Sequence, residues 1–205
     1  MSRHKLSGVT LLGIDTVHPL MTLRSQVYSM RMCDFEQVVL VTDSRRHQGE
    51  AHRAERLGIK VIHRPHIEGR GAYERDQLVN LPTWFSTPFD LFSEWDSSVV
   101  NPLDWFLSDP AYTTFDYIGA PWPYPYDEAG YPRCTAENSV GNGGFSLRSK
   151  RFCEAVARLT QGASDAQVHL SDAFVCRTIR DQLIAMGMKF APHTIAEQFA
   201  CENRR

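Results

Sequence analysis

Cysteine is sparse in this chain of 205 residues. The five, Cys33, Cys134, Cys153, Cys176 and Cys201, are odd in number and scattered, with no C-x-x-C pair. That spacing favours reduced thiols in a cytoplasmic protein over a disulfide framework or a structural zinc site. An excess of one charge is missing too: 22 basic residues face 24 acidic ones, for a net charge of -2. No field of that kind draws in nucleic acid or an anionic membrane. Long apolar runs are absent. The longest uncharged stretch, Gln77 to Phe89, has about thirteen residues and two prolines, too short for a spanning helix. Repeats, linkers and low-complexity tracts are also lacking, so the length predicts one domain over 1–205.

What is there reads as a globular chain, 42% hydrophobic, 11% aromatic and 22% charged, able to bury a core. The basic start Met1-Ser-Arg-His-Lys5 and the apolar Gly8 to Ile14 resemble the opening of a signal sequence. Asp15 interrupts the run and no small-x-small cleavage site follows, so Val9–Ile14 is read as a first strand. Leu20, Leu23, Val27 and Met30 recur at helical spacing. Val38–Val41 is a β-branched strand covered on both faces, and Ile59–Ile62 a third strand after a short charged helix from Gln48 to Leu57. A helix from Tyr73 to about Leu81, ended by Pro82, leads to a fourth strand at Phe89–Phe92. Alternation of this kind predicts an α/β fold with a mostly parallel sheet, whose ligands sit beyond the carboxyl ends of the strands. Asp15, Asp43 and Asp96 all fall at such ends, as turn initiators or as a convergent site.

The second half has a different texture. Phe115–Ile118 reads as a strand. Pro121, Pro123, Pro125 and Pro132 then crowd together with Trp122, Tyr124, Tyr126 and Tyr131 into a loop. Gly141-Asn-Gly-Gly144 opens an element at Phe145–Leu147, and Ser149 caps a helix with Phe152, Ala155, Val156 and Leu159 on one face. A last helix is expected from Ser171 to Gly187, with Phe174, Val175, Ile179, Leu183 and Met186 inward.

Glu94-Trp95-Asp96 is the most informative short feature. Carboxylates at i and i+2 on a strand end point the same way and can serve one divalent cation, though two solvated acids on a turn look alike. The segments D-L-F-S-E-W-D-S-S-V-V-N-P (90–102), F-D-Y-I-G-A-P-W-P (115–123), S-V-G-N-G-G-F-S-L-R-S (139–149), D-A-F-V-C-R (172–177) and K-F-A-P (189–192) follow in that order. This succession resembles an uncharacterised family of glycosyltransferase-like proteins with a GT-A type fold, over Val9 to Glu202.

The resemblance implies a single GT-A-like domain that moves a sugar from a nucleotide-diphosphate sugar, UDP or GDP, to an acceptor hydroxyl. Residues 8–100 would bind the donor and 101–205 would form the acceptor side. It puts Glu94 and Asp96 in place of a D-x-D motif holding Mn²⁺ or Mg²⁺, and Thr16, Asp43, Tyr73 and Arg75 beside the donor. Asp172 becomes the candidate base or sugar-binding acid, an acid that the helix dipole would favour there in any case. His193 is a candidate third metal ligand, or a structural histidine. Asn142, Gly143 and Gly144 would let the backbone approach sugar, where a turn of positive φ is the alternative. Trp122 would stack on a sugar face or cover the core.

A sugar nucleotidyltransferase would carry a glycine- and arginine-rich loop after the first strand, where Asp15-Thr-Val-His-Pro-Leu-Met21 stands. A non-catalytic sugar-binding protein is the third reading. The acceptor is expected to be a glycan or small molecule before a modified DNA base, since no basic stripe is present. A partner chain, a second copy included, would complete so small an acceptor side.

Overall fold

The computed structural model describes residues 4–101, 112–125, 127 and 129–201. Met1 to Arg3, Pro102, Tyr126 and Glu202, used in the sequence reading, lie outside the described residues.

A six-stranded sheet runs in the order β3-β2-β1-β4-β6-β5. β1 (His4–Ile14), β2 (Cys33–Thr42), β3 (Lys60–His63) and β4 (Phe89–Ser93) are parallel, as their β-branched, alternating order with helices predicts. β6 (Phe145–Ser149) inserts antiparallel between β4 and β5 (Tyr117–Gly119). Ser93 pairs with Phe145 and Gly119 with Ser146. The start of β6 and the ends of β1, β4 and β5 therefore share one edge of the sheet. The fifth strand begins later than the expected Phe115, because Asp116 is buried and binds Arg151, Ser149 Oγ and the Lys189 amide.

α1 (Pro19–Met32) forms as expected but turns a different face inward. Its buried residues include Thr22, Leu23, Ser25, Gln26 and Ser29, whereas Leu20, Val27 and Met30 are only half-buried. The polar face is bonded: Gln26 Nε2 donates to the Val39 carbonyl at 2.7 Å, and Ser29 Oγ accepts the Val99 amide at 3.0 Å. Buried polar groups are tolerated where they are paired.

α2 (Gln48–Arg56) matches its expectation. α3 (Arg70–Trp84) runs through Pro82 instead of stopping before it. Proline removes one amide from the ladder, but Leu81, Trp84 and Phe85 are buried in the second apolar cluster. Lys150 Nζ binds the carbonyls of Pro82 and Phe85, closing the helix end. α4 (Lys150–Thr160) starts as predicted, with the Phe152 amide donating to Ser149 Oγ at 3.2 Å.

The helix expected over 171–187 is broken into α6 (Ser171–Ala173), a π turn (Phe174–Thr178) and α7 (Arg180–Ala185), preceded by α5 (Asp165–Val168). Phe174, Val175, Cys176 and Arg177 are buried in succession, which one regular helical stripe cannot achieve. Met186 is exposed, contrary to expectation, while Gly187 ends the run at φ +82°. A further helix, α8 (His193–Phe199), follows.

Candidate active site

Three stretches far apart in sequence meet at the shared sheet edge. Glu94 and Asp96 follow β4, Asn142, Gly143 and Gly144 precede β6, and Asp172 opens α6. All six line one cleft of about 850 Å³. α3 supplies its third wall through Arg70, Glu74 and Gln77, at i, i+4 and i+7. A neighbouring hollow of about 370 Å³ at the end of β1 is lined by Asp15, Thr16, Tyr73 and the exposed Trp95. Arg70 and Glu94 line both, so the two spaces adjoin.

The glycines act through closeness, not dihedral freedom: none of Gly141, Gly143 and Gly144 is among the glycines with positive φ. A Cβ on Gly144 would lie 3.1 Å from Glu94 Oε2, and one on Gly143 would lie 3.2 Å from Asp172 Cβ. Gly141 serves packing instead. A Cβ there would meet the Trp122 ring at 2.2 Å and Cys176 Cβ at 2.8 Å. We expect Gly141→Ala to cost about 1–3 kcal/mol by overpacking, read from the urea midpoint at constant m-value. An unchanged midpoint would show that Trp122 has room to move.

The cleft concentrates negative charge. Desolvation, then the like charges of Glu74, Asp96 and Asp172, push Glu94 up to about 7 against the pull of Arg148. Burial raises Glu74 as well, opposed by its bond to Ser171 and by Arg70. Burial also raises Asp172, although the Ala173 amide at 2.7 Å, Arg177 and Arg70 oppose it. Arg148, buried and over the Phe92 ring at 4.6 Å, donates to the Gly143 carbonyl at 3.0 Å and Ser146 Oγ at 2.8 Å.

Several expected site residues are placed elsewhere. Arg75 lies about 100° around α3 from Glu74 and donates to the Gln161 carbonyl at 3.2 Å. Arg70, in helical register with Glu74 and Gln77, takes the cleft position expected for Arg75. Asp43 is buried and accepts the amides of Arg46 at 3.3 Å and His66 at 3.2 Å, outside both spaces. Trp122 is buried beneath Arg177, 4.8 Å from its guanidinium, and presents no free face to a sugar. His193 is held by Ser139 Oγ at 2.8 Å and Glu197 Oε1 at 3.2 Å and is not in the cleft. Thr16 and Tyr73 do reach the hollow, Thr16 bonded to His66 Nδ1 at 3.0 Å.

Among the described residues no three His, Cys, Asp or Glu side chains form a ready metal cage. The donor set still fits a hard divalent cation. Glu94 and Asp96 offer oxygens in a cleft crowded with carboxylates, and such ions bound with phosphates commonly use only one or two protein carboxylates.

Residues 83–205, more than half of the chain, match the family described as "Protein of unknown function (DUF5672)". The chain belongs to the DUF5672 family. The matched region of this DUF5672 protein carries Glu94, Asp96, the glycine segment and Asp172. No curated protein matches.

Solved structures that share the fold include two transferases. One is the mannosyltransferase PcManGT from Pyrobaculum calidifontis in complex with GDP-Man and Mn²⁺, at 13% identity and TM-score 0.52, covering 90% of this chain and 54% of that one. The chain thus spans about half the length of that mannosyltransferase. The other is the inositol-1-phosphate CTP transferase from T. maritima, at 13% identity and TM-score 0.53, covering 91% and 84%. The DUF5672 chain therefore has the fold of GT-A-like glycosyl- and nucleotidyltransferases. Among the described residues no helix is long and apolar enough to cross a membrane.

Proposed function

We propose that this protein transfers a sugar from a nucleoside-diphosphate sugar, UDP- or GDP-linked, to an acceptor hydroxyl with help from Mn²⁺ or Mg²⁺. The observation that carries the reading is the convergence of Glu94, Asp96, Gly143, Gly144 and Asp172 on one cleft that adjoins the hollow beside Thr16 and Tyr73. Pockets of a few hundred Å³ suit a nucleoside.

Thr16, Tyr73 and Trp95 would wall the base and ribose. Asp96, with Glu94, would hold the cation, and Arg70 and the Gly143–Gly144 backbone would lie along the diphosphate. The cation would offset charge growing on the leaving diphosphate. Asp172 would take the proton from the acceptor hydroxyl. Burial raises its proton affinity, which suits a base. Residues 8–100 would thus serve the donor and 101–205 the acceptor.

Glu74, Glu94, Asp96 and Asp172 outnumber Arg70 and Arg148 in the cleft, which favours a glycan or small-molecule acceptor over polyanionic DNA. Four of the five free thiols are buried, in keeping with a reducing cytoplasm.

A nucleotidyltransferase needs amides after its first strand to cradle phosphate. Here the Val17 and His18 amides donate to Asp15 Oδ1 at 2.8 and 2.6 Å, so that loop satisfies itself. The glycosyltransferase reading is stronger for that reason.

The test is a thermal-shift screen of UDP, GDP, CDP, TDP and ADP with Mn²⁺, Mg²⁺ or EDTA. A nucleotide at about a hundred times its Kd adds about 2.7 kcal/mol of stability. We expect one nucleotide to stabilise the protein only with metal, and Asp96→Ala to abolish the shift. If no nucleotide stabilises a folded sample, the transferase reading falls and a sugar-binding role replaces it.

A further inference from the structure

The buried polar face of α1 has a destination. Ser25 Oγ lies 3.2 Å from Ser93 Oγ and donates to the Ser97 carbonyl. Ser93 Oγ donates to the same carbonyl at 2.9 Å and lies 3.2 Å from Ser97 Oγ. Each hydroxyl has one proton and a carbonyl oxygen has two lone pairs, so Ser25 and Ser93 together saturate the Ser97 carbonyl. That leaves the single Ser97 proton for the acceptors around it, Ser93 Oγ at 3.2 Å and two carbonyls, of which the Gly144 carbonyl is the nearest. Ser97 Oγ stands 2.9 Å from the Gly144 carbonyl and 3.1 Å from the Glu94 carbonyl.

The two carbonyls belong to different segments. Glu94 opens the acidic turn after β4, and Gly144 closes the glycine segment before β6. They are already tied once, by the Glu94 amide donating to the Gly144 carbonyl at 2.8 Å. The Gly144 amide in turn donates to Asn142 Oδ1 at 3.0 Å, which braces the glycine segment itself. Ser29 Oγ, one helical turn beyond Ser25, holds the Val99 amide at 3.0 Å and fixes the outgoing end of the turn. The hydroxyl array thus runs from a helix behind the sheet to the floor of the cleft, and Ser97 is its last member and itself lines that cleft.

We propose that Ser97 is a positioning residue: its hydroxyl locks the Glu94–Asp96 turn to the Gly143–Gly144 backbone, so that carboxylates and glycine backbone meet cation and donor in one fixed geometry. The inference rests on the functional reading above for what the geometry serves, but the coupling itself is a property of the chain. Groups that orient metal-binding carboxylates without touching the ion typically change metal affinity by about 10–100-fold when removed.

Mn²⁺ binding to the full chain, followed by electron paramagnetic resonance with UDP and with GDP, tests the proposal. Ser97→Ala should weaken Mn²⁺ about tenfold or more while the metal-free protein stays folded. Ser97→Thr, which keeps the hydroxyl, should restore affinity. Hydrogen–deuterium exchange on the metal-free chain supplies a second readout: Ser97→Ala should speed exchange in 94–98 and in 142–146 together. Wild-type Mn²⁺ affinity in Ser97→Ala, or faster exchange in 94–98 alone, would overturn the proposal. If the unaltered protein binds no Mn²⁺ with either nucleotide, the functional reading fails by itself, and the exchange pattern still decides whether Ser97 couples the two segments.

Discussion

Asp172→Asn should lower turnover by about 10²–10⁴-fold, the range for losing a general base, while Mn²⁺-dependent nucleotide stabilisation persists. Asparagine is nearly isosteric and keeps an oxygen for the Ala173 amide, which Asp172 Oδ1 accepts at 2.7 Å, so the start of α6 survives. What it cannot do is accept a proton from the incoming hydroxyl. Asp172 lines the same cleft as Glu94, and Gly143 approaches it closely because it carries no Cβ. Burial raises its proton affinity. The measurement is release of nucleoside diphosphate from the UDP- or GDP-sugar that the wild type binds, with water as acceptor if no sugar acceptor is yet known. Turnover within threefold of wild type would remove Asp172 from the chemistry and leave it as a helix-start residue.

Asp90→Asn should change how stability depends on pH. Asp90 is fully buried on β4 and accepts the Cys153 thiol at 3.3 Å through Oδ1, while Oδ2 has no hydrogen-bond partner among the described residues. Burial pushes it up to about 6, although Arg148, Cys153 and Lys150 pull the other way. A carboxyl whose folded pKa lies above its unfolded value favours the folded state when protonated. Its contribution is fully present below about pH 4 and is lost as pH rises toward 6. Asparagine has no proton to lose. The stability difference between Asp90→Asn and wild type should therefore grow in favour of the variant by roughly 2 kcal/mol between pH 4 and pH 7. Urea melts at a series of pH values read it directly. A difference that stays flat across that range would mean that Asp90 titrates normally in the folded protein.

Asp172 and Asp96 illustrate how legible the molecule is from its sequence. They were visible because each stands next to an element boundary that local chemistry announces, the end of a β-branched strand or the start of a helix. Arg70 and Arg75 look alike in the sequence, and only docking of α3 shows that the face carrying Arg70, Glu74 and Gln77 meets the cleft. His193 and Trp122 looked available because their partners, Ser139 for one and Gly141 with Arg177 for the other, come from distant segments. Asp43 fell where donor-binding acids fall, but the His66 amide from the loop after β3 occupies it.

The sequence by itself determined the alternation of strands and helices, the parallel half of the sheet, the absence of a spanning segment and the placement of acids at strand ends. Each of these follows from composition or periodicity over a few residues. The tertiary structure decided the rest: the insertion of β6 between β4 and β5, which brings Gly144 beside Glu94; the packing of α1, which buries Ser25, Gln26 and Ser29 more deeply than Leu20, Val27 and Met30; and the π turn that buries Arg177. Those outcomes depend on which distant groups satisfy one another's hydrogen bonds and fill one another's space. Periodicity records how apolar a neighbourhood is, and carries no information about who its neighbours across the sheet will be.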